Sequence, residues 1–146
     1  MDKKLKDQLS QIKLLICDID GVLTDGSFIK STSGDELRSF NALDGVGFVV
    51  LRLLNLNIKT AWITGRESIT TTQRAEELQI DEVYNGVIRK IDAYNELKKK
   101  YNLSDNEICF IGDDIIAVSY THLRAHYTAS DLVCSLLLEK SGGGGG

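Results

Sequence analysis

The sequence lacks a basic excess. Its 17 lysines and arginines are outnumbered by 21 aspartates and glutamates, for a formal net charge of −4 and an isoelectric point near 5.2. Phosphate backbones and anionic bilayers demand a basic face, so neither nucleic acid nor membrane is expected as the main partner. The one marked basic run, Lys98-Lys99-Lys100, reads as the solvated face of a helix. Also missing is any apolar stretch long enough to span a bilayer. The opening Met1-Asp2-Lys3-Lys4 leads into a polar helix without the apolar core of a signal peptide, and a cytoplasmic protein is expected. The three cysteines include no Cys-x-x-Cys spacing, which removes the common zinc and redox signatures, and the odd count suits a reducing compartment. Cys17 and Cys109 read as small buried hydrophobes, with an oxidation-sensitive Cys17 as the alternative. The 146 residues suffice for one core burying roughly 68–70% of the unfolded surface.

The informative stretch is Ile16-Cys17-Asp18-Ile19-Asp20-Gly21, where an apolar run breaks into a carboxylate pair and a glycine. Residues two apart on a strand share a face, so Asp18 and Asp20 would repel each other if the strand ran through both. A turn or a bound cation relieves this. With Asp18 at the carboxyl end of a buried strand and Gly21 bending the chain away, the carboxylate faces the crevice where open α/β sheets bind ligands. A hard cation such as Mg²⁺ suits such oxygens.

Strand and helix patterns alternate along the chain. Core strands are expected at Leu14 to Cys17, Lys59 to Ile63, Glu82 to Tyr84 and Glu107 to Ile111. Helices are expected from Asp44, as cap, through Leu54, from about Ser68 to Leu78 and from about Arg89 to Tyr101. The first of these presents Val46, Val49, Val50, Leu53 and Leu54 as its apolar face. Ser27 to Lys30 and Leu37 to Phe40 flank a polar turn and read as a β-hairpin. The pattern predicts a doubly wound α/β fold, a mainly parallel, Rossmann-like sheet with a hairpin insert and no cap domain.

Four motifs in order, Asp18-x-Asp20, Ile63-Thr64-Gly65-Arg66, Gly86 with Lys90, and Gly112-Asp113-Asp114, resemble those of the haloacid dehalogenase superfamily. Within it the chain from about Lys13 to Ile116 is most similar to the cap-less family of 3-deoxy-D-manno-octulosonate 8-phosphate phosphatases. Asp20-Gly21-Val22-Leu23-Thr24-Asp25-Gly26, Asp44-Gly45-Val46-Gly47 and Arg74 add to that likeness. The resemblance implies an Mg²⁺-dependent phosphomonoesterase of lipopolysaccharide precursor synthesis. Asp18 is then the nucleophile and Asp20 the acid and base. Mg²⁺ is held by Asp18, the Asp20 backbone carbonyl and Asp113, and Thr64 and Lys90 bind the phosphoryl group. Gly65 and Arg66 join the substrate site, Arg74 braces a helix or forks a substrate anion, and Asp114 orders its loop or reaches the metal through water. The resemblance also implies a homotetramer in which one subunit's hairpin covers a neighbour's site.

Other readings stay open. The substrate could be another acid sugar phosphate, such as N-acylneuraminate 9-phosphate, or the chain could match the phosphatase module of acylneuraminate cytidylyltransferases. A non-enzymatic receiver-like protein also places acids, Thr and Lys around a phosphorylated Asp. It would put its phosphorylated Asp after a later strand, whereas here the Asp-x-Asp pair comes first. From Ala117, where the family pattern has an acid, the sequence departs. Val118 to His126 resembles translated adapter read-through, His122 and His126 share helical spacing by accident, and the end is a glycine run. The division expected is a phosphatase domain at 1–117, lacking its native closing elements, and an atypical tail at 118–146 outside the family fold. That departure leaves a weakened or inactive enzyme as a further reading.

Overall fold

The computed structural model describes residues 3–112 and 126–127. After helix α1 (Lys3–Leu9) comes strand β1 (Leu14–Asp18), then the hairpin β2 (Ile29–Lys30) and β3 (Glu36–Leu37). Helix α2 (Ala42–Leu53), strand β4 (Lys59–Thr64), helix α3 (Ile69–Leu78) and strand β5 (Glu82–Asn85) follow. Helix α4 (Lys90–Lys100), a 3₁₀ turn at Asp105–Glu107, strand β6 (Ile108–Ile111) and strand β7 (His126–Tyr127) complete the order. The main sheet runs β5-β4-β1-β6-β7, and every pairing in it is parallel. This is the doubly wound α/β sheet that the sequence predicts. Among the described residues there is no cap domain, and the hairpin stands in its own two-stranded sheet.

β1 lies at the centre, and its alternation divides the core. Leu14 and Ile16 pack with Ala61, Ile63, Ile108 and Phe110 beneath Ala93, Tyr94 and Leu97 of α4. Cys17 faces the other way, with Trp62, Phe48 of α2, and Ala75 and Leu78 of α3. The period-two switch thus puts α4 on one face and α2 with α3 on the other. Asp18 continues the Leu14 and Ile16 side, the side of α4.

Two expectations for α2 are corrected. Its N-cap is Asn41, whose side chain accepts from the Leu43 backbone N–H, while Asp44 lies in the first turn. Asn is as good a cap as Asp and stands directly before the helix. The buried residues of α2 are Gly45 and Phe48, whereas Val46, Val50, Leu53 and Leu54 are 53%, 42%, 76% and 62% exposed. Close approach to α3 decides the face, since a side chain on Gly45 would stand 2.7 Å from an Arg74 guanidinium nitrogen. The hairpin strands are also two residues each, shorter than the alternation suggests. β7 pairs with Phe110 and Ile111, where the sequence indicates no strand. The rest of the tail, with Asp113, Asp114, Ala117 and His122, lies outside the described residues.

Candidate active site

β1 ends at Asp18, and the parallel register pairs Asp18 with Ile63 on β4 and Cys17 with Ile111 on β6. Three strand ends therefore open side by side at the carboxyl edge, where α/β folds bind ligands. The chain leaves β1 through a tight loop in which Val22, Leu23 and Thr24 N–H groups all donate to the Ile19 carbonyl. Gly21 adopts φ +82° there, the left-handed conformation that glycine takes without a steric cost. Asp20 stands at the start of this loop, two residues beyond Asp18.

Asp18 is 2% exposed and Lys90 5%. Asp18 Oδ1 accepts from the Ile19 backbone N–H at 2.7 Å, and its Oδ2 accepts from Lys90 Nζ at 2.5 Å. Lys90 is the first residue of α4. Thr64, the last residue of β4, donates its hydroxyl to Asp20 Oδ2 at 3.2 Å and accepts from the Arg66 N–H at 3.3 Å. The structure thus brings Asp18, Asp20, Thr64 and Lys90 into one cluster. The loop below is knitted by Val87 N–H to the Thr64 carbonyl, 2.9 Å, and by the Asn85 side chain, which bonds Ser68 and Thr72.

The other expected site residues stand farther out. Gly65 approaches the Val87 carbonyl, with room for a Cβ at 3.7 Å. Arg66 is half exposed, within 4.0 Å of Glu36 and 4.5 Å over the Phe28 ring of the hairpin. Arg74 pairs with Glu77 at 2.8 Å and packs over Gly45, where it braces α2 against α3. Asp113 and Asp114 fall outside the described residues. Two residues unmarked by any sequence motif join the cluster: Arg38, whose Nε lies 3.3 Å from Asp20 Oδ1, and Glu36 at 3.6 Å from Arg38 Nη2.

No group of three metal-binding side chains forms among the described residues. The donor set nevertheless fits a hard cation. Asp18 and Asp20 present carboxylate oxygens at one strand end. Hard oxygens of this kind suit Mg²⁺. Cys17, next to the cluster, is 2% exposed, and burial pushes its thiol well above the ordinary range, which makes it a core residue with little thiolate.

A doubly wound α/β sheet with a buried carboxylate at its central strand end, a lysine on that carboxylate and a second acid two residues on defines an α/β protein with an acidic crevice at its carboxyl edge. No family model matches the chain. The 3-deoxy-D-manno-octulosonate 8-phosphate phosphatase of Yersinia pestis is 39% identical over 107 residues, 73% of this chain and 56% of that protein. The chain thus spans a little over half the length of that relative. The Moraxella catarrhalis enzyme of the same name, crystallised with magnesium, phosphate and KDO, superposes with a TM-score of 0.76 at 32% identity, over 82% of this chain and 68% of that one. The cobalt-bound Haemophilus influenzae phosphatase gives 0.73 at 30% identity, over 83% and 69%. The chain belongs to the 3-deoxy-D-manno-octulosonate 8-phosphate phosphatase family of the haloacid dehalogenase superfamily.

Proposed function

We propose that the protein hydrolyses the phosphate monoester of 3-deoxy-D-manno-octulosonate 8-phosphate with Mg²⁺, a step toward the lipopolysaccharide precursor. The observation that carries this reading is the buried Asp18–Lys90 pair at the carboxyl end of the central strand, with Asp20 held beside it by Thr64. Unaided hydrolysis is slow enough that enzymes accelerate it by up to about 10²¹-fold, so several groups must act together. An Asp18 carboxylate oxygen attacks phosphorus, the bond to the sugar oxygen breaks, and Asp20 gives its proton to that leaving oxygen. Asp20 then takes a proton from the water that attacks the aspartyl-phosphate, which releases inorganic phosphate and restores Asp18. Lys90 steadies Asp18 and the phosphoryl oxygens as a point cation, and the Thr64 hydroxyl turns to a phosphoryl oxygen. Gly65 and Arg66 belong to the substrate site. Asp18, the Asp20 carbonyl and Asp113 would hold Mg²⁺, with Asp114 ordering its loop or reaching the metal through water, and the ion would supply charge neutralisation.

Asp18→Asn replaces an anionic nucleophile by a neutral amide of equal size, and turnover should vanish while the thermal melting curve stays cooperative. Chelation of the parent should remove the rate and Mg²⁺ restore it. Undiminished hydrolysis by purified Asp18→Asn, or a full rate in chelator, overturns the mechanism. In the same assay N-acylneuraminate 9-phosphate serves as competing substrate, and preference for it reassigns the sugar.

The proposal extends to a homotetramer in the cytoplasm. It is supported by the exposed apolar hairpin residues Phe28, Ile29 and Leu37 and by an odd cysteine count without redox spacing. No helix among the described residues is long and apolar enough to cross a membrane. The catalytic domain proposed is 1–117, with 118–146 as an atypical tail of which β7 pairs with β6.

A further inference from the structure

We propose that Arg38 is a positioning residue that orients the Asp20 carboxylate for proton transfer, an inference that rests on the phosphatase reading above. The Arg38 side chain is 0% exposed, so it does not meet substrate. It reaches three elements at once. Its Nη1 donates to Thr71 Oγ1 on α3 at 2.8 Å, its Nη2 lies 3.6 Å from Glu36 Oε1 at the start of β3, and its Nε lies 3.3 Å from Asp20 Oδ1. Asp20 retains 29% side-chain exposure, so its carboxylate stays accessible while one oxygen faces Arg38 and the other takes the Thr64 hydroxyl.

Contacts on both oxygens fix the plane of the Asp20 carboxylate before substrate binds, and once the Thr64 hydroxyl turns to a phosphoryl oxygen, Arg38 is the contact that keeps the carboxylate from turning. A planar guanidinium can hold this geometry because its nitrogens are rigidly spaced, with one end hydrogen-bonded to Thr71 and the other set 3.3 Å from Asp20 Oδ1 as an ion pair; a lysine ammonium is a single point on a flexible stem. The cations are divided accordingly, with Lys90 on the nucleophile Asp18 and Arg38 on the acid Asp20. The hairpin, which supplies Glu36 and leads into Arg38, is thereby coupled to the proton-transfer step and not merely laid over the site.

The test separates orientation of the acid from general support of the fold. A sugar phosphate releases an alkoxide that needs a proton, whereas p-nitrophenyl phosphate releases a stable phenolate that leaves without one. Arg38→Gln should lower kcat/KM on the sugar phosphate by about 10²-fold, at the low end of a general acid's contribution. On the aryl ester the loss in kcat/KM should be at least about tenfold smaller, because this ratio reports the steps through departure of the leaving group and not the later attack of water on the aspartyl-phosphate, which both esters share. Arg38→Lys should fall between parent and Arg38→Gln. A crystal structure of Arg38→Gln should show the Asp20 carboxylate turned away from Thr64. Equal losses on the two esters, no loss, or an Asp20 Oδ2 still bonded to Thr64 Oγ1 overturns the role of Arg38. Absence of turnover by the parent on both esters instead overturns the phosphatase reading, and the Asp20 geometry in that crystal structure then decides the role of Arg38.

Discussion

Lys90 sits at the end of a helix that disfavours a cation, since the first turn carries the positive end of the helix dipole, and it is buried there as well. Two unfavourable terms at one residue mark a site that serves something other than stability. The Asp18 carboxylate offsets both. Removing one partner of a buried pair strands the other charge, at a cost of about 3 kcal/mol or more. Lys90→Met should therefore lower unfolding free energy by about 3 kcal/mol in metal-free urea titrations, and adding Asp18→Asn should restore a large part of it. A double variant as unstable as Lys90→Met alone would show that the loss comes from packing. Asp18, Asp20, Thr64 and Lys90 were legible because each sits in a short motif at a strand end or helix start. Arg38 was not legible, because its meaning depends on Thr71, 33 residues away, and on a hairpin that folds back to the strand ends.

At the scale of elements, the parallel strands β1, β4, β5 and β6 were readable from their apolar runs, with ends shifted by one residue, whereas β7 was not. α2 shows where that reading stops. Apolar residues lie on most of its sides, so periodicity does not select one face, and the contact of Gly45 with Arg74 and Leu78 becomes visible only in three dimensions. The join between β4 and β5 rests on Asp81. Its carboxylate accepts from Lys59 Nζ at 2.7 Å, from the Thr60 N–H at 2.9 Å and from the Thr60 hydroxyl at 3.0 Å. Burial works to raise its pKa, but the bonds from Lys59 and Thr60 prevail and hold it below the usual 3.8. A depressed carboxylate contributes stability above its unfolded pKa and loses it as pH falls through the folded value. Asp81→Asn should thus cost about 1 kcal/mol at neutral pH, allowing for the half-exposed Lys59. The difference from the parent should shrink below about pH 4, as urea titrations at several pH values would show. A gap that stays constant down to pH 2 would sink this account.

The whole molecule gathers its chemistry at one edge of the sheet and exposes apolar side chains on the hairpin beside it and on α2. Phe28, Ile29 and Leu37 on the hairpin are 42%, 66% and 43% exposed, and Leu43, Val46 and Leu53 on α2 are 76%, 53% and 76% exposed. A two-stranded hairpin is marginal in water by itself. This one is tied down by Arg66 over Phe28 and by the Ser68 hydroxyl donating to the Glu36 carbonyl at 3.3 Å, but its outer apolar side chains stay in solvent. Exposed apolar surface of this extent marks an association site more often than a solvated face. The sequence showed that these residues are apolar; it did not show which of them the fold leaves uncovered, because coverage depends on the short hairpin and on the face that α2 turns to α3. In the proposed homotetramer the hairpin of one subunit lies over a neighbour, so Ile29→Asp should break the assembly without unfolding the sheet. Sedimentation velocity at micromolar concentration should show a tetramer for the parent and smaller species for Ile29→Asp, with the Asp18–Lys90 core still melting cooperatively. A parent that sediments as a monomer, or an Ile29→Asp variant that remains tetrameric, rules out assembly through the hairpin.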